Sequence, residues 1–364
     1  MKIGILTFHH SRNYGAVLQA YALKEVLVGF GHKVEVIDYR NPSMEAKKTP
    51  FSLGNFCKNP LKYLFRLFNI YAGHRRKVCN FGRFEKEQLN VTLCRYYPED
   101  IRTSDYDIIV IGSDQVWSPI ITNGPDQVFW GNYCPSKAKL ITYAASSCSL
   151  DLLETKDFNS VEEWLSRFNT LSVREKRLKS YIETHSNKTA HVVLDPTLLA
   201  GRSVFEKITP KRVVKEPYVL FYQVEKSKNA KEIASKVAEL YHAKLIGIGV
   251  TPFSNMIRKS EKGIRNINAS VYEFLSLVKY AECVVAYSFH GTALSLIYEK
   301  NFFSVRGNNI ERVEAVLSKC NLMNRVVQTP GDIEICDVDY KTANAHLSEM
   351  RRNSLNWLKQ AITD

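Results

Sequence analysis

The segment "KIGILTFHHSRNYGAVLQAYALKEVLVGFGHKVEVIDY", residues 2–39, has the pattern of a strand, a helix and a second strand. A short apolar run over 2–8 leads into a polar loop, and helical spacing of apolar residues begins at Gly15. Gly29 and Gly31 end this helix, and a second apolar run follows at 33–39. Because such units join parallel strands through a right-handed crossover, the segment predicts a parallel α/β sheet.

The same alternation continues along the chain. Further strand patterns occur at 107–113, 139–147, 170–175, 191–197, 218–224, 244–249, 283–288 and 302–305. The later helices are predicted at 229–241, 271–281, 291–300 and 309–320. A basic stretch with Pro210 and Pro217 divides the pattern, and 364 residues exceed what one hydrophobic core usually organises. We therefore predict two Rossmann-like doubly wound domains that face a central cleft, at 1–205 and 213–345, and a C-terminal helix over 346–364 that packs on a neighbouring domain.

Composition and charge restrict the class of protein. Apolar residues make up 45% and charged residues 24% of the chain, which is typical of a globular protein. The eight cysteines form no C-x-x-C pair, so we expect reduced thiols in a cytoplasmic protein and neither a metal site nor another cofactor. No apolar stretch approaches the roughly 18 residues of a membrane span. The formal net charge of +13 favours anionic partners, but no nucleic-acid recognition module accompanies it, and we expect no nucleic-acid partner.

Polar and glycine-containing motifs follow the predicted strands directly. They are "NYGAVLQAYAL" (13–23), "GSDQVW" (112–117), "SVRE" (172–175), "LDPT" (194–197) and "SFHGTALSL" (288–296). Ligands of doubly wound domains bind at the carboxyl ends of the strands, and a helix that begins there offers free N–H groups to phosphate or carboxylate. The motifs therefore predict a cleft for an oxygen-rich, anionic ligand.

Two residues are the candidates for proton transfer. His290 follows an apolar strand and precedes a helix, and histidine titrates near neutrality, so it suits a general acid; the alternative is a buried structural histidine. Asp114 could accept a proton from a hydroxyl, unless it only caps a helix. Asp195 precedes Pro196, and we interpret it as part of a turn.

The expected binding residues divide between the two halves of the chain. Arg174 offers a planar fork for a phosphate or carboxylate, unless it pairs with Glu175 or another carboxylate. In the first half, Gly15 lets a ligand or a neighbouring backbone approach the helix, or serves only helix–sheet packing, and Asn13 can cap the helix. The other expected contacts are Tyr14, Gln115 and Trp117; the indole of Trp117 could pack on a sugar ring or belong to the core.

The ordered set of motifs resembles the polysaccharide pyruvyl transferase family over almost the whole chain. The resemblance implies an architecture like that of GT-B glycosyltransferases. It also implies transfer of an enolpyruvyl-derived group from phosphoenolpyruvate to a sugar, which forms a pyruvate ketal. The acceptor would belong to a cell-surface polysaccharide, such as an exopolysaccharide or capsule, or to its lipid-linked precursor. On this resemblance, Arg174 would bind the donor. The expected acceptor contacts would be Asn13, Tyr14, Gly15, Gln115 and Trp117.

One position departs from the family pattern. Many members carry an arginine two residues before the histidine of the last motif, and this chain has Ser288 there. We expect the donor to contact Ser288, Gly291 and Thr292 at the helix start, and either the missing cation comes from elsewhere or the donor differs. Candidates for that cation, in order of preference, are Arg306, after the strand at 302–305, and Arg312, in the next helix.

The stretch 58–86 carries eight Lys or Arg residues against the single acid Glu85, with aromatic residues between them. This pattern is typical of a segment that contacts an anionic membrane surface, here the inner face of the membrane. A solvated helical insertion is the alternative interpretation. Two other functions stay open for the chain as a whole: a GT-B-like glycosyltransferase with a nucleotide-sugar donor, and a non-catalytic saccharide-binding protein.

Overall fold

The computed structural model describes residues 1–46, 75–94, 97–102, 105–135, 137–147, 161–249, 263–307 and 310–364. The strands of the first half are β1 (Lys2–Leu6), β2 (Lys33–Val36), β3 (Ile108–Ile111), β4 (Lys139–Thr142), β5 (Leu171–Val173) and β6 (Ala190–Val192). Those of the second half are β7 (Tyr218–Gln223), β8 (Lys244–Gly249), β9 (Ile264–Asn266), β10 (Cys283–Tyr287), β11 (Asn301–Val305) and β12 (Val326–Val327).

All strand pairs in both halves are parallel. The first sheet has the order β2-β1-β3-β4, and bridges from Ile141 to Thr170 and from Ala145 to Val173 connect β4 to the β5-β6 pair. The second sheet has the order β12-β11-β10-β7-β8-β9. In each sheet the second strand pairs with one side of the first strand, and a later strand pairs with the other side. This change of side occurs between β1 and β3 in the first sheet and between β7 and β10 in the second. The doubly wound parallel fold predicted from the sequence is confirmed.

Helices cover the faces of these sheets. They are α1 (Tyr14–Gly29), α2 (Pro42–Ala46), α3 (75–84, continued by the π-turn Glu85–Leu89), α4 (Glu99–Arg102), α5 (Pro119–Thr122), α6 (Val161–Ser166), α7 (Lys176–His185), α8 (Pro196–Ala200), α9 (Arg202–Glu206), α10 (Lys228–Leu240), α11 (Val271–Lys279), α12 (Phe289–Ile297), α13 (Ile310–Leu317) and α14 (Tyr340–Thr363). None of the helices in the described ranges is both long enough and apolar enough to cross a bilayer.

Alternate residues of each strand serve different hydrophobic clusters. Ile108 and Val110 belong to a cluster that continues into the second half and α14, whereas Ile109 and Ile111 belong to a second cluster on the opposite face. Strands covered on both faces are apolar throughout, which explains the continuous apolar runs in the sequence. The shared cluster joins the two halves through one continuous apolar core.

Helix α1 lies at the centre of this shared cluster and is buried on almost every side from Tyr14 to Leu23. The Asn13 side chain caps it by accepting a hydrogen bond from the Gly15 N–H at 2.9 Å, as the sequence predicted. The side chain of Tyr14 contacts the second half: its ring stacks on Phe274, and its hydroxyl donates to the Ala269 carbonyl at 2.7 Å. The expected role of Tyr14 in acceptor binding is therefore wrong: its side chain ties the two halves together.

Several boundaries differ from the sequence predictions for local reasons. Strands β9 and β12 were missed because runs of three and two residues carry no recognisable pattern. Helix α12 begins at Phe289, so that His290 lies inside its first turn. Helix α14 begins at Tyr340, earlier than predicted, because Asp339 caps it by accepting from the Thr342 N–H. The domain boundaries at 205 and 213 stay a prediction.

We expect Tyr14→Phe to lower the free energy of unfolding by about 1–3 kcal/mol, because it leaves the buried Ala269 carbonyl without its donor. Chemical denaturation of both proteins measures the change. The matched control is Tyr97→Phe, since Tyr97 is 71% exposed, and it should change stability by less than about 0.5 kcal/mol. Equal stability of the two variants would show that the hydrogen bond from Tyr14 to Ala269 does not stabilise the contact between the two halves.

Candidate active site

A cleft of about 590 Å³ lies where the carboxyl ends of the two sheets face each other. The first half contributes Asn13 after β1 and Asp114 and Gln115 after β3. The second half contributes Ser288 and His290 after β10 and, from α13, Arg312. The volume is that of an ordinary small-molecule site, and α1 and α12 both direct their N-termini toward it. The structure thus brings together six of the predicted site residues.

His290 is held at the point where the two halves meet. A Cβ built on Gly15 would lie 2.2 Å from Nδ1 of His290, so only glycine leaves room for the imidazole ring at the start of α1. The other ring nitrogen, Nε2, lies 3.7 Å from the Asp195 carboxylate. The predicted need for space at Gly15 is correct, but the group that approaches is a side chain from the second half.

Asp195 is a site residue that the sequence reasoning missed. Its Oδ1 caps α8 by accepting from the Thr197 N–H, which is the turn role we predicted. Its Oδ2, in addition, lies 2.7 Å from Nη2 of Arg174 and faces His290. Burial would raise the pKa of this carboxyl, but the charges of Arg174 and His290 outweigh it, and the pKa is held well below its usual range. Asp195 is therefore an anion, and its Oδ2 faces both the guanidinium of Arg174 and the ring of His290, the candidate acid.

Arg174 faces carboxylates and a hydroxyl. In addition to Asp195, its guanidinium donates to Ser113 Oγ at 2.8 Å and lies 3.7 Å from Asp114 Oδ1. Its side chain is only 3% exposed and does not line the main cleft. The donor-binding role expected for Arg174 is not supported there, because the carboxylate pairing that we kept as the alternative engages its guanidinium.

Arg312 is the arginine that reaches the cleft. Its guanidinium lies over the ring of Phe289, and both Nη atoms donate to the side-chain oxygen of Gln115, at 2.7 and 3.1 Å, in the amide orientation that satisfies both groups. Its Nε is 3.9 Å from Glu175. Burial raises the pKa of Glu175, and Arg312 opposes that rise. Gln115 thus positions a cation across the cleft.

Arg306, our preferred replacement cation, is directed away from the cleft. Neighbouring Val305 and Gly307 line the cleft, and successive side chains of an extended chain point to opposite sides. Arg306 is 43% exposed and pairs with Glu314 of α13 at 2.5 Å. Arg306 is therefore not among the described residues that line the cleft, whereas Arg312, our second candidate, is.

Three further predicted contacts belong to the interior. Trp117 is 1% exposed because it stacks on Trp130 with a centroid distance of 4.5 Å, so no sugar ring can reach it. Gly291 packs against Tyr222 and Ala286, where a Cβ would not fit. Thr292 is buried and hydrogen-bonds Ser304. These residues hold α12 and the loop after β3 in place, and none of the three is among the residues that line the cleft.

Metal binding finds no support in the described part of the chain, where no three His, Cys, Asp or Glu side chains are grouped as ligands. The aromatic side chains that do line the cleft are Tyr287, which rests on Gly307, and Phe289. Sequence reasoning passed over both, because an aromatic residue next to a strand usually belongs to the core.

We expect Gly15→Ala to displace His290 and to lower the free energy of unfolding by about 1–3 kcal/mol, the usual cost of overpacking. Gly82→Ala is the matched control, since no atom lies within 4 Å of a Cβ at Gly82 in α3. It should leave stability unchanged or raise it by up to about 1 kcal/mol. Thermal and chemical denaturation compare the two, and a fully stable Gly15→Ala protein would show that the ring can move away freely.

Comparison with known proteins assigns this site to a family. The family model described as polysaccharide pyruvyl transferase matches residues 13–309, which include every cleft residue of both sheets except those from Ile310 onward. No curated protein sequence matches the chain.

Solved structures share the fold. An alpha-glucosyltransferase in complex with UDP and a 13-mer DNA is 10% identical, with 99% of this chain and 95% of that chain covered and a TM-score of 0.51. A Staphylococcus aureus MnaA–UDP structure is also 10% identical, with 96% and 87% covered and a TM-score of 0.50. At this level of identity the likeness concerns the fold alone, and it confirms a GT-B-like arrangement of two Rossmann-like halves.

Proposed function

Because the chain belongs to the polysaccharide pyruvyl transferase family, we propose that it transfers the enolpyruvyl-derived group of phosphoenolpyruvate to a sugar and forms a pyruvate ketal. The sugar would belong to a cell-surface polysaccharide or to its lipid-linked precursor. The observation that carries the proposal is the position of His290, which lies in the cleft between the starts of two helices with the Asp195 anion behind its ring.

The reaction needs a proton on the methylene carbon of the donor. In the proposed mechanism, protonated His290 gives that proton to C3 of phosphoenolpyruvate, and C2 becomes an oxocarbenium-like centre. A sugar hydroxyl then forms a bond to C2 and gives up its proton to Asp114. A second hydroxyl attacks C2, the bond from C2 to the phosphate oxygen breaks, and the second hydroxyl proton leaves with the phosphate. The products are a cyclic ketal and inorganic phosphate.

The donor is an anion and needs cations in the cleft. Arg312 supplies a guanidinium at the cleft wall, and Gln115 and Phe289 fix its orientation. The N-terminus of α12 adds a positive end next to Ser288. We propose that these groups replace the arginine that many relatives carry at position 288. The second half would thus bind the donor. The first half would bind the acceptor through Asn13, Asp114 and Gln115.

A membrane location would suit a lipid-linked acceptor. Within the basic stretch 58–86, the described part is the helix α3 with its π-turn, where Arg75, Arg76, Arg83 and Lys86 are exposed. Residues 58–74 lie outside the described residues. We propose that this exposed basic face contacts anionic lipid at the inner face of the membrane.

We expect His290→Ala to reduce pyruvyl transfer by about a hundredfold or more, the usual effect of removing a positioned acid. Phosphate release from phosphoenolpyruvate, measured across a panel of aryl and lipid-linked glycosides, reports the rate. The control is His242→Asn, an exposed histidine at the amino edge of the second sheet, where asparagine tolerates the positive φ of 47°. A folded His290→Ala protein with unchanged turnover would remove His290 from the mechanism.

We expect Arg312→Ala to raise the half-saturating concentration of phosphoenolpyruvate by about tenfold or more, as loss of a charge-assisted pair does. Arg306→Ala removes the same charge from the outer side of the same sheet edge, and it should change that concentration by less than about twofold. Steady-state kinetics measure both variants. Equal effects would contradict the placement of the donor, and a wild-type protein that does not bind phosphoenolpyruvate would favour a nucleotide-sugar donor.

A further inference from the structure

A second cavity lies beside the main cleft, with a volume of about 300 Å³. Its walls come from the loop after β6, from α13 and from α14. Phe289 and Arg312 line both spaces and form the wall that separates them. Nothing in the proposed reaction uses this second space, which we call the side cavity.

The inner end of the side cavity is cationic. Arg174 and Arg312 line it, and Lys319 stands at its edge with an exposed side chain. Asp195 is the single acidic residue among its lining residues, and behind the lining Asp114 lies 3.7 Å from Arg174 and Glu175 lies 3.9 Å from Arg312. Arg174 is more than nine-tenths buried, and within the described structure its Nε and Nη1 make no hydrogen bond, although Nη1 faces Asp114 Oδ1 at 3.7 Å. Buried N–H groups of a guanidinium without partners are costly, which indicates that a ligand oxygen accepts from them.

The outer part of the side cavity is apolar. Val193 and Val316 line it, together with Met350 and Trp357 of α14. The last three of these side chains are half-buried, so they keep apolar surface that a ligand could remove from water. A free inorganic anion would leave this surface unused.

We propose that the side cavity binds an organic phosphate ester with an apolar body. Its phosphate would lie between Arg174, Arg312 and Lys319, and its alkyl or aryl part would contact Val316, Met350 and Trp357. Arginine suits a phosphate through its planar fork, and Lys319 adds a third cation for the charge of the phosphate. This site shares Arg312 and Phe289 with the proposed donor site and differs from it in its other lining residues, and it does not depend on the identity of the donor.

Trp357 makes the proposal directly measurable. The chain has four tryptophans, and Trp117, Trp130 and Trp164 are buried in the first half. A ligand in the side cavity should therefore change tryptophan emission mainly through Trp357. Three probes separate the parts of the ligand: hexyl phosphate, inorganic phosphate as the head alone, and hexanol as the body alone.

Calorimetry and tryptophan emission of the full-length protein should show that hexyl phosphate binds about tenfold or more tightly than either part, since several methylene groups leave water along with the charge. Met350→Gln should weaken hexyl phosphate about fivefold or more and leave inorganic phosphate unchanged. Lys319→Gln should weaken both phosphates and leave hexanol unchanged, whereas Lys341→Gln, an exposed cation of α14 outside the cavity, should change none of them. Trp357→Phe should abolish the emission change and retain the calorimetric signal.

Hexyl phosphate that binds no better than its parts, or whose binding leaves Trp357 emission unchanged, would overturn the proposal. Because both anions would face Arg312, saturating phosphoenolpyruvate should weaken hexyl phosphate binding by about three- to tenfold without abolishing it, and full competition would overturn the separation of the two sites. A protein that binds hexyl phosphate in this way but does not turn over phosphoenolpyruvate would refute the proposed function and leave this site standing.

Discussion

The contact between the His290 ring and the first turn of α1 determines how the two halves can sit together. A glycine at position 15 is the condition for it, since a Cβ would lie 2.2 Å from the ring nitrogen. The contact places the start of α1, the start of α12 and the carboxylate of Asp195 within one short space. Both sheets must therefore present their carboxyl ends to the same cleft, and every other site residue follows from that position.

Behind this contact lies a buried set of charges. Arg174, Asp195 and Glu175 are almost fully buried, and each is balanced by an opposite charge or a hydrogen bond from another strand end. Ion pairs of this kind add little net stability, because desolvation offsets their attraction. Their effect is to fix geometry: loops after β3, β5 and β6 share charges, so a shift of one loop would leave a buried charge uncompensated. The cleft is consequently preorganised before any ligand enters.

Much of this architecture could be predicted from the sequence. Apolar runs over strands covered on both faces, and motifs directly after them, fixed the order of the elements and the edge on which the site lies. His290, Asp114 and Asn13 lie where the pattern placed them. The orientation of individual side chains was harder to predict from the sequence. Val305 and Gly307 line the cleft, whereas Arg306 between them points to the opposite side, because successive residues of an extended chain alternate in direction. Trp117 and Asp195 were misjudged because their partners, Trp130 in one case and Arg174 with His290 in the other, come from other segments.

Helix α14 has a consequence for how the molecule is made. Its 24 residues, about 36 Å long, begin beside α12, where Tyr340 donates to the Ser295 and Lys300 carbonyls. They end on the first half, where Ser354 accepts from the Leu194 N–H and Arg351 donates to the Leu198 carbonyl. The loop after β6 thus acquires its last partners only when α14 has left the ribosome. Until then α8 packs against α1 but lacks its contacts with α14, and the nascent first half is completed only by a segment synthesised after the whole second half.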